Sequence, residues 1–267
     1  MIRSTFQLAP GIGPYRERQL WDGGVTGWDL LPAEPEVVLS PRLDGRVRAA
    51  VEGARAAVAA RDAAALAGMV PQRERWRLFS LFADEAGYLD IETDFEGRPT
   101  AVGILDRDGP RLFLRGRDLE EFQEATAGWK LLVTFNGLSF DVPMLRRAFP
   151  GWRPPPVHVD LCHLWRRLGH QGGLKLLEHE VGIGRPRHLD GVDGRDAVRL
   201  WAAWERGDRD ALRLFAEYNL LDVVNLRTLM AMGYNRAVER LRMPGEPVPV
   251  SMPGDVRYDV TRLVLVL

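Results

Sequence analysis

The chain has 267 residues, 46% hydrophobic and 27% charged, with a net charge of −1; that length buries one good core plus an appendage, or two modest domains, with the composition of an ordinary soluble globular protein. The near-neutral charge gives no global basic signal, so nucleic-acid binding has to come from local patches, and it argues against tight unaided binding to long duplexes. A single cysteine, Cys162, excludes an internal disulfide framework, five histidines without metal-type pairing argue against zinc, and the lack of a signal-peptide pattern or a long apolar run reads as cytoplasmic with no membrane association.

Four regions follow in chain order. Residues 1–40 are rich in Gly, Pro and Trp, and "PGIGPYRERQLWDGGVTGWDLL" resembles the second half of a helix–hairpin–helix motif. Gly11 and Gly13 would let the backbone approach a phosphate at a helix start, with Arg16 and Arg18 adding charge. The alternative is a packing hairpin held by Trp21 and Trp28. Residues 41–75 form a helical connector, alanine-rich over 41–69, with Asp44 and Asp62 as candidate caps. Residues 76–242 alternate strand-like and helix-like segments. Residues 243–254, "MPGEPVPVSMPG", are a proline-rich linker, and a final strand is expected in "VRYDVTRLVLVL".

Within the third region the strand candidates are Tyr88–Thr93, Thr100–Asp106, Arg111–Arg115, Leu131–Phe135 and Val157–Leu161. Turn residues between the first three predict an antiparallel meander. Helices are expected near Leu119–Ala127, over "DVPMLRRAF", and through most of 161–232, broken at 169–173 and 182–194. The expectation is an α/β fold: a mixed sheet flanked by helices, with a small helical N-terminal appendage. A ribonuclease-H-like architecture fits this pattern, as do others.

The acidic residues carry the chemistry. In "AGYLDIETDFEG" the strand period of two puts Asp90 and Glu92 on one face, roughly 6–7 Å apart along the strand, opposite an apolar face. Asp141 follows a buried-looking strand at the start of a helix, where an N-terminal acid needs no further explanation. Asp222, in "AEYNLLDVVNLRTLM", has hardly any polar face around it, with Tyr218 one turn earlier. Burying an unpaired carboxylate costs several kcal/mol, so Asp222 is either bonded to a tyrosine or arginine or bound to a cation. Arg227 is near in sequence but off that face. Taken together, four converging carboxylates repel strongly in a low-dielectric pocket unless divalent cations neutralise them. Oxygen-only ligands suit Mg²⁺ or Mn²⁺, and two such ions ~3.5–4 Å apart can activate water and stabilise the leaving oxygen of a phosphodiester.

The segments "LDIET", "TFNGLSFDVPML" and "YNLLDVVNL" resemble, in order and approximate spacing, the three exonuclease motifs of the 3′–5′ proofreading domain of family B DNA polymerases, of the DEDD type and its tyrosine subgroup. The three-motif match spans about residues 84–232, and with "WRLF", "GGLKLLEHEVGI" and "LDGVDGRDAVRLW" the longer pattern is similar to the YprB-like bacterial ribonuclease-H-like exonucleases. It implies that Asp90, Glu92 and Asp222 hold one metal ion, that Asp90 bridges to a second, and that Asp141 binds directly or through water. Tyr218 is implied to orient or help activate the attacking water, and Asn136 and Phe140 to touch the substrate end, although Phe140 reads equally as core. Lys175 either reaches a phosphate or is an ordinary surface lysine. The expected activity is a 3′–5′ exonuclease with two Mg²⁺ or Mn²⁺ ions acting on single-stranded or frayed DNA 3′ ends. An exoribonuclease is one alternative, and a non-catalytic nucleic-acid-binding or scaffolding module the other. No protein partner is indicated.

Overall fold

The computed structural model describes residues 1–33 and 39–260. They form two compact units, one of Met1–Ala83 with Tyr234–Val248, the other of Asp84–Gly233 with the chain from Pro249 onward.

In the first unit a 3-10 turn, Ile2–Ser4, leads to the turn at Gly11 and then to α1 (Pro14–Asp22), with Gly13 as its N-cap residue. Gly11 has a φ of +98°, in the left-handed region that glycine adopts without strain. Glu17 of α1 is buried and accepts from the Phe6 and Gln7 backbone N–H groups, from Gln7 Nε2 and from Arg77 Nη1, at 2.6–3.2 Å. Trp21 and Trp28 donate through Nε1 to the Ser4 and Thr5 carbonyls, each at 2.9 Å, so both tryptophans pin the segment before the turn. Arg16 and Arg18 are engaged within the unit, on the Gly11 carbonyl and on Asp22. Next come α2 (Pro41–Ala59), α3 (Ala63–Met69) and the single turn α4 (Phe79–Phe82). Asp62 caps α3 as expected, but Ser40 caps α2. Asp44 lies inside its first turn, paired with Arg48 four residues on, because Pro41 supplies the first helical position and places the cap one residue before it.

The second unit holds a five-stranded sheet ordered β3-β2-β1-β4-β5. Its strands are β1 (Ala86–Thr93), β2 (Pro99–Asp106), β3 (Gly109–Leu114), β4 (Leu131–Thr134) and β5 (Val157–Asp160). The first three make the expected antiparallel meander, while β4 and β5 run parallel to β1. The helices are α5 (Phe122–Thr126), α6 (Asp141–Ala148), α7 (Leu161–Arg167), α8 (Leu174–Glu180), α9 (Gly194–Glu205) and the long α10 (Arg209–Arg240), whose last residues belong to the first unit. The observed architecture is therefore the mixed α/β sheet with flanking helices that the alternation of segments predicts.

Strand β1 is central, and its alternation sorts its side chains. Leu89 and Ile91 join Val102, Ile104, Phe113, Phe122, Leu132, Val142, Leu145 and Trp152 in one apolar cluster. Asp90 and Glu92 point to the other face, where Asn219 and Asp222 of α10 reach them. Among the described residues no helix is long and apolar enough to cross a membrane. The expected final strand falls, from residue 261 on, outside the described residues; Arg257–Asp259 have no regular structure.

Candidate metal centre

Three carboxylates meet over the middle of β1. Oxygens of Asp90, Glu92 and Asp222 all lie within 4.8 Å of one another. Glu92 and Asp222 are buried, at 7% and 5% exposure, and Asp90 is half-buried. Two come from one strand face and the third from a helical turn of α10 laid across it, so the cluster needs both elements.

Two of the three, Asp90 and Asp222, are held by donors. Asn219 Nδ2 donates to Asp90 Oδ2 at 2.8 Å. This approach depends on Gly103, which pairs with Asp90 across the β1–β2 ladder: a Cβ there would stand 1.9 Å from Asn219 Oδ1. Arg185, from the segment between α8 and α9, donates through Nη2 to Asp222 Oδ1. The same guanidinium grips Glu178 through Nε and Nη2 at 2.5 and 2.7 Å. Asp222 is thus both bonded to an arginine and part of the acidic cluster, and the arginine is not its sequence neighbour.

Asp141 is adjacent but not one of the three. It opens α6, after Phe140 as N-cap residue, and is 3% exposed. Its Oδ1 accepts the Ile91 N–H at 3.1 Å, a bond to the backbone between Asp90 and Glu92. Of the four expected carboxylates three share the cluster and Asp141 lies beside it, with one oxygen on the strand backbone and its charge acting on Asp90 and Glu92.

The electrostatics follow from burial and like charge. Burial first, then the neighbouring carboxylates, push Asp90 and Glu92 well above the usual carboxylate range. Burial also raises Asp222, against the pull of Arg185. Asp141 is pushed up to about 7, chiefly by burial and against its bonds to backbone N–H groups. Such a set holds protons when nothing else compensates its charge. The donors are all hard oxygens, close enough to share one ion, with one oxygen each of Asp90 and Asp222 already occupied by a donor. The residues present fit a divalent cation of the Mg²⁺ or Mn²⁺ type.

Around the cluster, Tyr218 lies one helical turn before Asp222 and is 5% exposed. Lys175 Nζ donates to its hydroxyl at 2.9 Å and sits 4.5 Å from its ring centroid, so this lysine is half-buried and not an ordinary surface residue. Burial, then Asp222 and Glu92, hold the Tyr218 hydroxyl far above its ordinary pKa. Asn136 follows β4 with a φ of +65°. Its N–H and that of Leu138 donate to Asp160, which also caps α7 through the Cys162 N–H. Phe140 is 41% exposed, which excludes a core role. Gly11 and Gly13 belong to the other unit.

Asn219, Arg185, Glu178 and Asp160 carry roles that motif reading does not assign. Asn219, a polar residue on an apolar helix next to Tyr218, offered a signal; Arg185, 37 residues from Asp222 and in a loop, offered none.

Comparison with curated proteins found no match. A family model, RNase_H_2 of the RNase H superfamily, matches residues 87–234, more than half of the chain. Since that match runs from the second residue of β1 to beyond Asp222, it takes in every element that supplies the acidic cluster, and the chain belongs to the RNase H superfamily.

Proposed function

We propose that this protein is a metal-dependent 3′–5′ exonuclease of the YprB-like group, related to the DEDD tyrosine-subgroup proofreading domains, that releases nucleotides from single-stranded or frayed DNA 3′ ends in repair or nucleic-acid turnover. The observation that carries this reading is the meeting of Asp90, Glu92 and Asp222 with Tyr218 one turn away. Superfamily membership together with an acidic cluster points to a nuclease, and nucleases of this superfamily use divalent metals.

Asp90, Glu92 and Asp222 would hold the ions, with Asp141 contributing directly or through water. Two Mg²⁺ or Mn²⁺ ions supply a lowered pKa for the attacking water and charge for the leaving oxygen. Tyr218 stays protonated, because burial and the neighbouring carboxylates oppose its ionisation. Lys175 donates to the Tyr218 oxygen, so the Tyr218 proton is free to point elsewhere. That geometry favours a hydroxyl that orients the attacking water or a phosphate oxygen over one that acts as a base. Lys175 adds positive charge beside the scissile phosphate. Asn136 and the exposed Phe140 flank Asp141 on the loop entering α6, where a terminal base could stack. Gly11 and Gly13, at the start of α1, would give a backbone contact to phosphate indifferent to base sequence.

The test uses a 5′-labelled single-stranded DNA oligonucleotide and its RNA twin, each with Mg²⁺ or Mn²⁺. EDTA, Asp90→Ala and Asp222→Ala run alongside. The expected result is a ladder shortening from the 3′ end of DNA, absent with chelator and with both variants. Preference for the RNA twin would make it an exoribonuclease. Intact oligonucleotide in every lane, with retarded mobility on a native gel, would replace the enzyme reading with a binding module.

A further inference from the structure

The strongest unassigned device is the buried ring of polar side chains behind Asp222. Its chain neighbours on α10, Leu221 and Val223, are apolar. The donor comes from Arg185 Nη2, which engages Asp222 Oδ1. Its other hydrogen bonds are the two on Glu178, and the guanidinium also lies over the Tyr218 ring, 5.8 Å from its centroid. Glu178 Oε1 in turn accepts from Asn225 Nδ2 at 2.9 Å. Asn225 follows Asp222 by three residues on α10, so the four side chains close a ring that begins and ends on one helix. Glu178 and Asn225 are fully buried, and the Arg185 side chain is 8% exposed.

We propose that Arg185 and Glu178 form a positioning pair for the cation: Arg185 fixes the plane of the Asp222 carboxylate and leaves Oδ2 for the metal, while Glu178 balances the charge of Arg185 so that it does not expel the metal. An arginine beside a divalent cation opposes it by simple repulsion. Here a carboxylate gripped through Nε and Nη2 of the same guanidinium offsets that charge. The fork geometry is specific to arginine, because one ammonium cannot grip both Glu178 oxygens and still reach Asp222. Groups that orient a metal ligand from behind commonly affect metal affinity by about 10–100-fold. A pair serving only to hold α8 against α10 would affect folding and leave the cation indifferent.

This inference rests on reading the acidic cluster as a metal centre and not on which nucleic acid is cut. Mn²⁺ alone is titrated into the full-length wild type, Arg185→Lys and Glu178→Gln, by calorimetry and by electron paramagnetic resonance of free Mn²⁺, below the melting temperature of each. Both variants are expected to bind Mn²⁺ at least tenfold more weakly. On oligonucleotide, kcat at fixed Mn²⁺ should fall while KM stays within threefold. Mn²⁺ affinity within twofold of wild type, or tighter, in either folded variant overturns the proposal; if Arg185→Lys fails to fold, Glu178→Gln decides alone. A wild type that binds no Mn²⁺ sinks this proposal together with the metal centre. Mn²⁺ binding that depends on both residues, with no oligonucleotide cut, supports the pair and rejects the exonuclease.

Discussion

Replacing Asp90 by Asn should make the metal-free protein more stable while destroying its ability to gain stability from metal. Asp90 faces Glu92 and Asp222 with oxygens within 4.8 Å. At an effective dielectric constant near 20, two unit charges at that separation repel by about 3 kcal/mol. The protein either bears this repulsion or takes up a proton against the solvent pH, and both oppose folding. The folded pKa of Asp90 lies above its unfolded value, so the folded state binds more protons and stability falls as pH rises from about 4 through the folded pKa. Asparagine removes the charge, keeps the shape and can still bond Asn219 through its amide oxygen. The expected gain in EDTA at pH 8 is about 2–4 kcal/mol, or roughly 5–12 °C in melting temperature for a domain of this size. At pH 5 it should shrink to at most about 1–2 kcal/mol, because the wild-type carboxyl is then near its ordinary titration range in the unfolded chain. Scanning calorimetry at both pH values, with EDTA or with Mn²⁺, reads all of this. Saturating Mn²⁺ at about a hundred times its Kd should stabilise wild type by about 2.7 kcal/mol and the variant by far less. An Asp90→Asn protein that melts at or below wild type in EDTA at pH 8, or that gains as much from Mn²⁺, would refute the reasoning.

Three further outcomes are expected. Gly103→Ala should push Asn219 off Asp90, since the new Cβ would stand 1.9 Å from its Oδ1 and 2.9 Å from its Cγ; the cost is about 1–3 kcal/mol in urea denaturation, with weaker Mn²⁺ binding, and a neutral substitution would contradict the packing. Mn²⁺ affinity should fall as pH drops through about 7, where Asp141 takes up its proton, and the raised carboxyls of Asp90 and Glu92 act in the same direction, because the cation must displace protons; calorimetry in buffers of different ionisation enthalpy would show proton release on binding, and pH-independent affinity would count against it. Asp160→Ala should strip the acceptor from the Asn136, Leu138 and Cys162 N–H groups and cost about 2–4 kcal/mol; a loss under 1 kcal/mol would mean that water replaces the carboxylate.

The parts of this protein legible in its residues are those set by local geometry. The period of two in β1 put Asp90 and Glu92 on one face and Leu89 and Ile91 on the other, and glycine and aspartate turns marked the meander. The apolar surroundings of Asp222 in α10 marked it as a carboxylate in need of a partner. Asp141 read as a first-turn acid because helix starts favour anions whatever the tertiary context. The identity of each partner was not legible. Arg185 reaches Asp222 from a loop, Asn219 reaches Asp90 only because Gly103 is bare, and Lys175 ends on Tyr218 instead of in solvent. The tertiary structure also tied Asp141 to the strand, spending one of its oxygens on the Ile91 N–H between Asp90 and Glu92. Periodicity constrains where a side chain points, within a few residues of itself. Which distant group waits there depends on how the sheet and helices pack, and that is a property of the folded chain.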